Sequence, residues 1–266
     1  MVQEKRNAFR RCLIRREMGS EAQSDFYSFV GKKAVVVAGT SGIGLAAAQL
    51  FVQLGGEAVV VSSNRDKVAA AVKLIGRRAE GEVVDGTQED QVRALFDRIG
   101  SFDHLIASSG RGRDKPFLQA SGEDLRGPWE KKYWLQALAA RYGAPHLRAG
   151  GSITLISGTN GTKPSKGTTQ AAAINAAVEG LARGLAVELS PIRVNVVSPG
   201  AIDTPLWEQF APDPKERAAK LEALKSKLLT GTVGQSDEVA RIIIAAISSP
   251  FTTGAKFEVN GGALLV

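Results

Sequence analysis

From Lys32 onward, short runs of Val, Ile and Ala alternate with longer helical patterns, and this alternation constrains the fold more than any other feature. Strands are expected at Ala34–Ala38, Ala58–Ser62, Gly81–Val84, His104–Ala107, Ser152–Ile156, Arg193–Val197 and Lys256–Val259. Several are apolar at every position, as a strand must be when helices cover both faces of a parallel sheet. Between them the spacing predicts helices at Leu45–Leu54, Arg65–Ile75, Glu89–Ile99, Pro128–Tyr142, Thr169–Leu189 and Asp237–Ile247. Strand–helix alternation repeated this often predicts an α/β fold built on a doubly wound parallel sheet. No repeat or low-complexity linker divides it, so a single domain is expected over residues 29–266.

The formal charge of +7 invites a nucleic-acid reading. More than half of it lies in the first 17 residues, where Lys5, Arg6, Arg10, Arg11, Arg15 and Arg16 face only Glu4 and Glu17. Residues 1–28 are expected to be a disordered basic extension, or sequence upstream of a start at Met18. This stretch is poor in aromatics and lacks the apolar core of a signal peptide. The remaining excess is slight, and no nucleic-acid partner is expected. One cysteine, Cys12, rules out an internal disulfide, and two histidines make a metal site unexpected. No apolar run reaches the ~20 residues of a membrane span. A reducing, cytoplasmic setting without membrane contact is expected.

Gly39-Thr40-Ser41-Gly42-Ile43-Gly44 falls between the first strand and the first helix. Glycines there let the turn close and let backbone N–H groups approach a pyrophosphate at the helix N-terminus, so a Rossmann-like dinucleotide site is expected. About 20 residues on, a carboxylate would accept the ribose hydroxyls of NAD. This chain has Ser62, Ser63, Asn64 and Arg65, with no acid before Asp66. Hydroxyls and a guanidinium suit a 2′-phosphate, so the expected cofactor is NADP(H).

With these residues in place, the chain from about Gly31 to Val266 resembles the short-chain dehydrogenase/reductase family. Val37-Ala38-Gly39-Thr40-Ser41-Gly42-Ile43-Gly44 is similar to the family's Thr-Gly-x-x-x-Gly-x-Gly, with Val37 and Ala38 replacing the leading Thr and Gly. The resemblance implies that Asp85 holds the adenine ring. It also implies that Pro199, Gly200, Ile202 and Thr204, after Arg193-Val194-Asn195, contact the nicotinamide end. The ending through Asn260-Gly261-Gly262 resembles the family's last strand and oligomer-forming tail, implying a homodimer or homotetramer.

The family's reaction machinery is where the pattern departs. Its members use a Tyr acid, a Lys, a Ser and a helix Asn. Aligning Asn175-Ala176-Ala177-Val178-Glu179-Gly180-Leu181 puts Asn175 at the Lys position, Ala171 at the Tyr position and Gly158 at the Ser position. The helix Asn becomes Lys132, or Lys131 with a one-residue shift. Alanine donates no proton, so the expected activity is hydride transfer to a carbonyl, imine or quinone-like small molecule with a substitute acid. Lys132 is the candidate, with Ser157, Thr159 and Asn175 supplying hydrogen bonds. Ser157-Gly158, Lys163-Pro164 and the Tyr-less helix also resemble a branch of fungal reductases that act on cyclic imines and guide a Diels–Alder cyclisation, although Ser165 stands where those enzymes carry an aspartate. Two alternatives stand beside the reductase: a non-catalytic NADP(H)-binding sensor, and a non-redox cyclase-like enzyme.

Trp129, Tyr133 and Trp134 are expected in the core or an interface rather than the pocket. Trp207 and Phe210 sit where the family has a substrate-covering loop, and Pro212 to Lys215 is expected to be irregular. His104 is expected to be a satisfied buried histidine and His146 to close a helix. Neither Tyr142 nor Tyr27 falls where the lost phenol would be.

Overall fold

The computed structural model describes residues 27–110 and 115–266. The basic extension expected at the start of the chain, with Cys12, lies almost wholly outside them. Seven strands form one sheet: β1 (Lys33–Val37), β2 (Glu57–Ser62), β3 (Ala79–Val83), β4 (Phe102–Ala107), β5 (Leu147–Ile156), β6 (Arg193–Pro199) and β9 (Lys256–Val259). Their order is β3-β2-β1-β4-β5-β6-β9, and every neighbouring pair is parallel. The chain therefore winds outward from β1 in one direction, then crosses to β4 and winds in the other. That reversal opens a crevice at the carboxyl ends of β1 and β4, where open α/β sheets bind ligands.

Continuous apolar strands make sense because alternate residues feed two cores. Val35, Val37, Val59 and Val61 pack on one face with helices α3 (Glu89–Ile99), α5 (Leu135–Gly143) and α6 (Thr169–Glu188). Ala34, Val36, Ala58 and Val60 pack on the other with α1 (Gly42–Gln53), α2 (Arg65–Ile75) and α8 (Ser236–Ser248). Phe51, Phe96, Leu105 and Ile243 are completely buried, and each such side chain contributes about 1.5–3 kcal/mol relative to exposure.

Three expectations need correction. The first strand ends at Val37 rather than Ala38, because Ala38 turns to φ 55° to begin the glycine loop. The helix expected at Pro128–Tyr142 is interrupted: α4 (Gly122–Trp129) starts at a Ser121/Asp124 capping box, a π-helical turn follows over Glu130–Trp134, and α5 continues to Gly143. Pro128 inside α4 removes a backbone donor just before the turn, a local cause for departing from the regular ladder. The stretch from Pro212 is not irregular throughout, since Asp213 caps helix α7 (Pro214–Lys225) by accepting from the Lys215 amide at 2.9 Å. Asp followed by Pro is a helix-start signal, with Pro at the first helical position. A two-stranded pairing of β7 (Ile202–Asp203) with β8 (Gly234–Gln235), absent from the expectation, anchors the base of this excursion.

Candidate functional site

Two cavities of about 350 and 950 Å³ open along the carboxyl edge of the sheet and share Ser109 and Gly110 as a common wall. The smaller is lined by Val37, Ala38, Ser62, Ser63, Asp85 and Lys131, among others. The larger begins at Ile43 and reaches past Pro199, Gly200, Ile202 and Thr204.

The glycine loop joins them, and its shape depends on missing side chains. A Cβ on Gly39 would stand 2.7 Å from the Val36 carbonyl oxygen, and one on Gly44 only 2.5 Å from that of Ala38. Gly42 holds φ +52°, which favours glycine. Ser41 sits at the N-cap of α1 without its side chain capping, and no acidic residue occupies the first turn. The first amides of α1 are thus open to an anion, which the helix dipole favours.

Ser63 lines the smaller cavity, and Arg65 opens α2 beside it, exposed. The side-chain oxygen of Asn64 accepts from the Lys67 amide at 2.9 Å and caps α2. Asp85 lines the cavity while its carboxylate accepts from the Thr87 amide at 3.0 Å and hydroxyl at 2.8 Å, which fixes its direction.

The floor of the larger cavity is set by the π-helical turn. Consecutive lysines on it reach different cavities, Lys131 the smaller and Lys132 the larger. Lys132 is buried, and its ammonium donates to the Ser157 carbonyl at 2.7 Å. Gln136, one turn on and fully buried, holds that arrangement. Its amide donates to the Lys132 and Ile156 carbonyls, both at 3.1 Å, and its oxygen accepts from the Ile156 amide at 2.8 Å. One side chain therefore locks the turn to the end of β5. Sequence reading missed it, because an interior glutamine on an apolar helix face carries no spacing signal of its own.

Ser157 is held from both ends. Its hydroxyl donates to the buried Glu179 carboxylate at 3.1 Å, and Glu179 pairs with Lys256 at 2.9 Å. Lys256 also pairs with Glu258 at 2.8 Å; burial opposes its charge, but the hydrogen bonds to Glu258 and Glu179 outweigh it and raise its pKa. The Ser157 hydroxyl thus belongs to a network on α6 and β9. Its oxygen keeps acceptor capacity on the wall of the larger cavity.

Gly158 faces Asn175, and a Cβ there would lie 3.0 Å from the Asn175 amide nitrogen. Asn175 is buried, lines the larger cavity, and its side-chain oxygen has no hydrogen-bond partner among the described residues. Ala171, one turn earlier, is fully buried and lines neither cavity. No tyrosine lines either cavity. Tyr142 bonds Glu89 on α3, which raises its pKa, and Tyr133 packs against the core. Trp129 donates to Gln170 at 3.1 Å, tying α4 to α6, and Trp134 is exposed. His104 is buried against the Phe29 and Phe51 rings and bonds Ser152 at 2.9 Å. His146 closes the turn after α5, 3.7 Å from Asp97.

The outer wall is an excursion from Thr204 to Leu229. Trp207 and Phe210 line the cavity, with Trp207 pinned through its indole N–H to the Ile202 carbonyl at 2.8 Å. Leu224, Leu228, Leu229, Leu264 and Val266, which sequence reading did not single out, complete it. They come from segments far apart in the chain, and only folding brings them together.

These features fit a dinucleotide. The glycine cradle excludes side chains where a pyrophosphate would lie; the buried oxygen of Ser109, where the two cavities meet, and that of Asn175, in the larger cavity, have no hydrogen-bond partner among the described residues. A ribose hydroxyl or a carboxamide would satisfy them. No group of residues suited to a metal occurs among the described residues, and none of their helices is long and apolar enough to cross a membrane.

Comparison with known proteins agrees with this architecture. The family model described as enoyl-(acyl carrier protein) reductase matches residues 37–263. The short-chain dehydrogenase/reductase ucsE of an Acremonium species is 31% identical, over 88% of this chain and 96% of its own. The MalC reductase/Diels–Alderase of Malbranchea aurantiaca superposes with a TM-score of 0.83 at 26% identity, covering 91% of this chain and 99% of that one. An NADPH-bound short-chain oxidoreductase of Pseudomonas aeruginosa, with an atypical catalytic centre, gives 0.81 at 28% identity, covering 89% and 98%. A parallel sheet that reverses at β1 and β4, a glycine loop at that reversal and matches along nearly the whole chain have one reading: this protein belongs to the short-chain dehydrogenase/reductase family.

Proposed function

We propose that this chain is an NADP(H)-dependent oxidoreductase that reduces a carbonyl, imine or quinone-like small molecule, with Lys132 supplying the proton a phenol would otherwise give. The observation that carries the reading is Lys132 itself, a buried ammonium on the floor of a 950 Å³ cavity that no tyrosine lines. Bound NADP(H) supplies the hydride. The glycine loop and the N-terminus of α1 would hold its pyrophosphate, Asp85 its adenine, and Ser63 and Arg65 its 2′-phosphate. Asn175 would accept a hydrogen bond from the nicotinamide ribose.

As negative charge grows on the substrate's oxygen or imine nitrogen, Lys132 donates a hydrogen bond and then its proton to it, completing the reduction begun by the hydride, and its amine regains a proton from water. The Ser157 carbonyl, which already accepts from that ammonium, aims it. A quinone needs less help than a simple ketone, because its carbonyl is already activated. The likeness to a reductase/Diels–Alderase favours a cyclase-like activity on the same fold as the second reading. The sensor alternative predicts cofactor binding with no turnover. The absence of a disulfide-forming cysteine pair supports a cytoplasmic site of action, and the family resemblance supports a homodimer or homotetramer.

The test is a panel of activated ketones, cyclic imines and quinones with NADPH, run on wild type and Lys132→Met. Turnover that falls by about a hundredfold to a thousandfold in the variant, with NADPH affinity unchanged, is the expected result. Equal turnover in both proteins removes Lys132 from the reaction, and no turnover of any acceptor favours the sensor.

A further inference from the structure

The larger cavity carries a charge pattern that hydride transfer does not require. Three lysines line it: Lys132 on the floor, and Lys163 and Lys227, both exposed, elsewhere in its wall. No acidic side chain lines it among the described residues. The rest of the wall is largely apolar, with Leu206, Trp207, Phe210, Leu228, Leu229 and Leu264 its bulkiest groups.

The two exposed lysines are attached to the segments that form the wall. Lys163 donates to the Ala263 carbonyl at 3.2 Å, tying the loop after β5 to the C-terminal segment. That segment packs on the excursion bearing Lys227: Thr230 donates its amide to the Gly261 carbonyl at 3.3 Å, and a Cβ on Gly262 would meet Leu229. Loop, excursion and C-terminal segment therefore meet around one cavity and bring their cations to it.

We infer that the substrate is an amphipathic carboxylate: an apolar body seated against Trp207, Phe210 and the leucines, with its anionic group held by Lys163 and Lys227. This rests on reading the larger cavity as the substrate end of the site. The apolar wall removes hydrophobic surface from water, and the two ammonium groups act on a charge that water screens only partly near the protein. An uncharged analogue keeps the first contribution and loses the second. Lys132, buried on the floor, remains for the reacting atom.

The test is calorimetric titration with naphthylacetate and its uncharged counterpart naphthylethanol, on the protein alone and saturated with NADPH. The carboxylate is expected to bind about tenfold tighter than the alcohol, at low salt, and the preference to shrink as salt rises. In Lys163→Gln/Lys227→Gln the preference should fall to near one while the alcohol's affinity holds. The Arg pair, Lys163→Arg/Lys227→Arg, should restore it. A wild-type preference near one, a preference that survives in the double Gln variant, or no binding of either compound overturns the inference. Carboxylate selectivity without NADPH binding would instead sink the oxidoreductase reading and leave this one standing.

Discussion

The two halves of the crevice are built in opposite ways. The cofactor half is built chiefly from backbone, with Ser63, Arg65 and Asp85 at its far end: a turn that glycines allow to close, a helix N-terminus, and strand ends paired in register. The reaction half is made of side chains brought from far apart, with Lys132 aimed by a π-helical turn, Gln136 holding that turn to β5, and Glu179 and Lys256 holding Ser157. A backbone site tolerates sequence change wherever φ and space permit, whereas a side-chain site changes its chemistry with each residue. The difference teaches why the glycine loop tolerates Val37 and Ala38 ahead of it, while the reaction half depends on single side chains.

The largest structural effect should come from the reaction half. Gln136→Leu leaves the Ile156 amide and the Lys132 and Ile156 carbonyls without a side-chain partner in a buried place, and should cost about 3 kcal/mol of stability. If the halves are built separately, the surviving folded protein keeps its NADPH affinity while Lys132-dependent turnover falls. Chemical denaturation and cofactor titration of the same sample check both. Loss of cofactor binding in step with turnover would break the comparison.

Acid offers a control that touches neither half. His104 lies near the start of β4, away from the carboxyl edge, and burial lowers its pKa from 6.5 to about 4. Asp103 opposes that shift, while Arg193 and Lys32 add to it. The unfolded chain therefore takes up a proton that the folded chain refuses. Stability from this site is complete above about pH 6.5, falls as pH drops toward about 4, and levels off below, a loss of about 3 kcal/mol. Unfolding free energy measured against pH should show that slope, and His104→Gln should flatten it.

The smallest effect sharpens the backbone half. Ala38 sits at φ 55°, a left-handed conformation that costs a non-glycine residue roughly 1–2 kcal/mol. Ala38→Gly should raise stability by under about 1 kcal/mol, since glycine's extra freedom in the unfolded chain offsets part of the gain. Thermal unfolding checks the sign. A loss of stability would mean that the alanine methyl packs more favourably than its backbone is strained.

How much of this was legible follows the same division. The seven strands of the main sheet and the glycine loop could be read from the sequence, because apolar continuity and a glycine turn are local signals. Lys132 could be reached only through a resemblance, and the π-helical turn that aims it was hidden, since Pro128 reads as easily as a helix start. Gln136, Glu179, Lys163 with Ala263, and the leucines of the outer wall depend on contacts between residues distant in the chain. Ser157 was found, but nothing local tells that its hydroxyl turns to Glu179.

Above all, we propose that the half of the crevice beside the glycine loop holds NADP(H). Titration with NADPH and NADH, followed by tryptophan fluorescence on wild type and Arg65→Ala, tests it most directly. NADPH should bind at least about tenfold tighter than NADH, with Arg65→Ala removing most of that preference and leaving NADH unchanged. Equal affinity for the two would contradict the 2′-phosphate site at Ser63 and Arg65, and no binding of either would contradict the account as a whole.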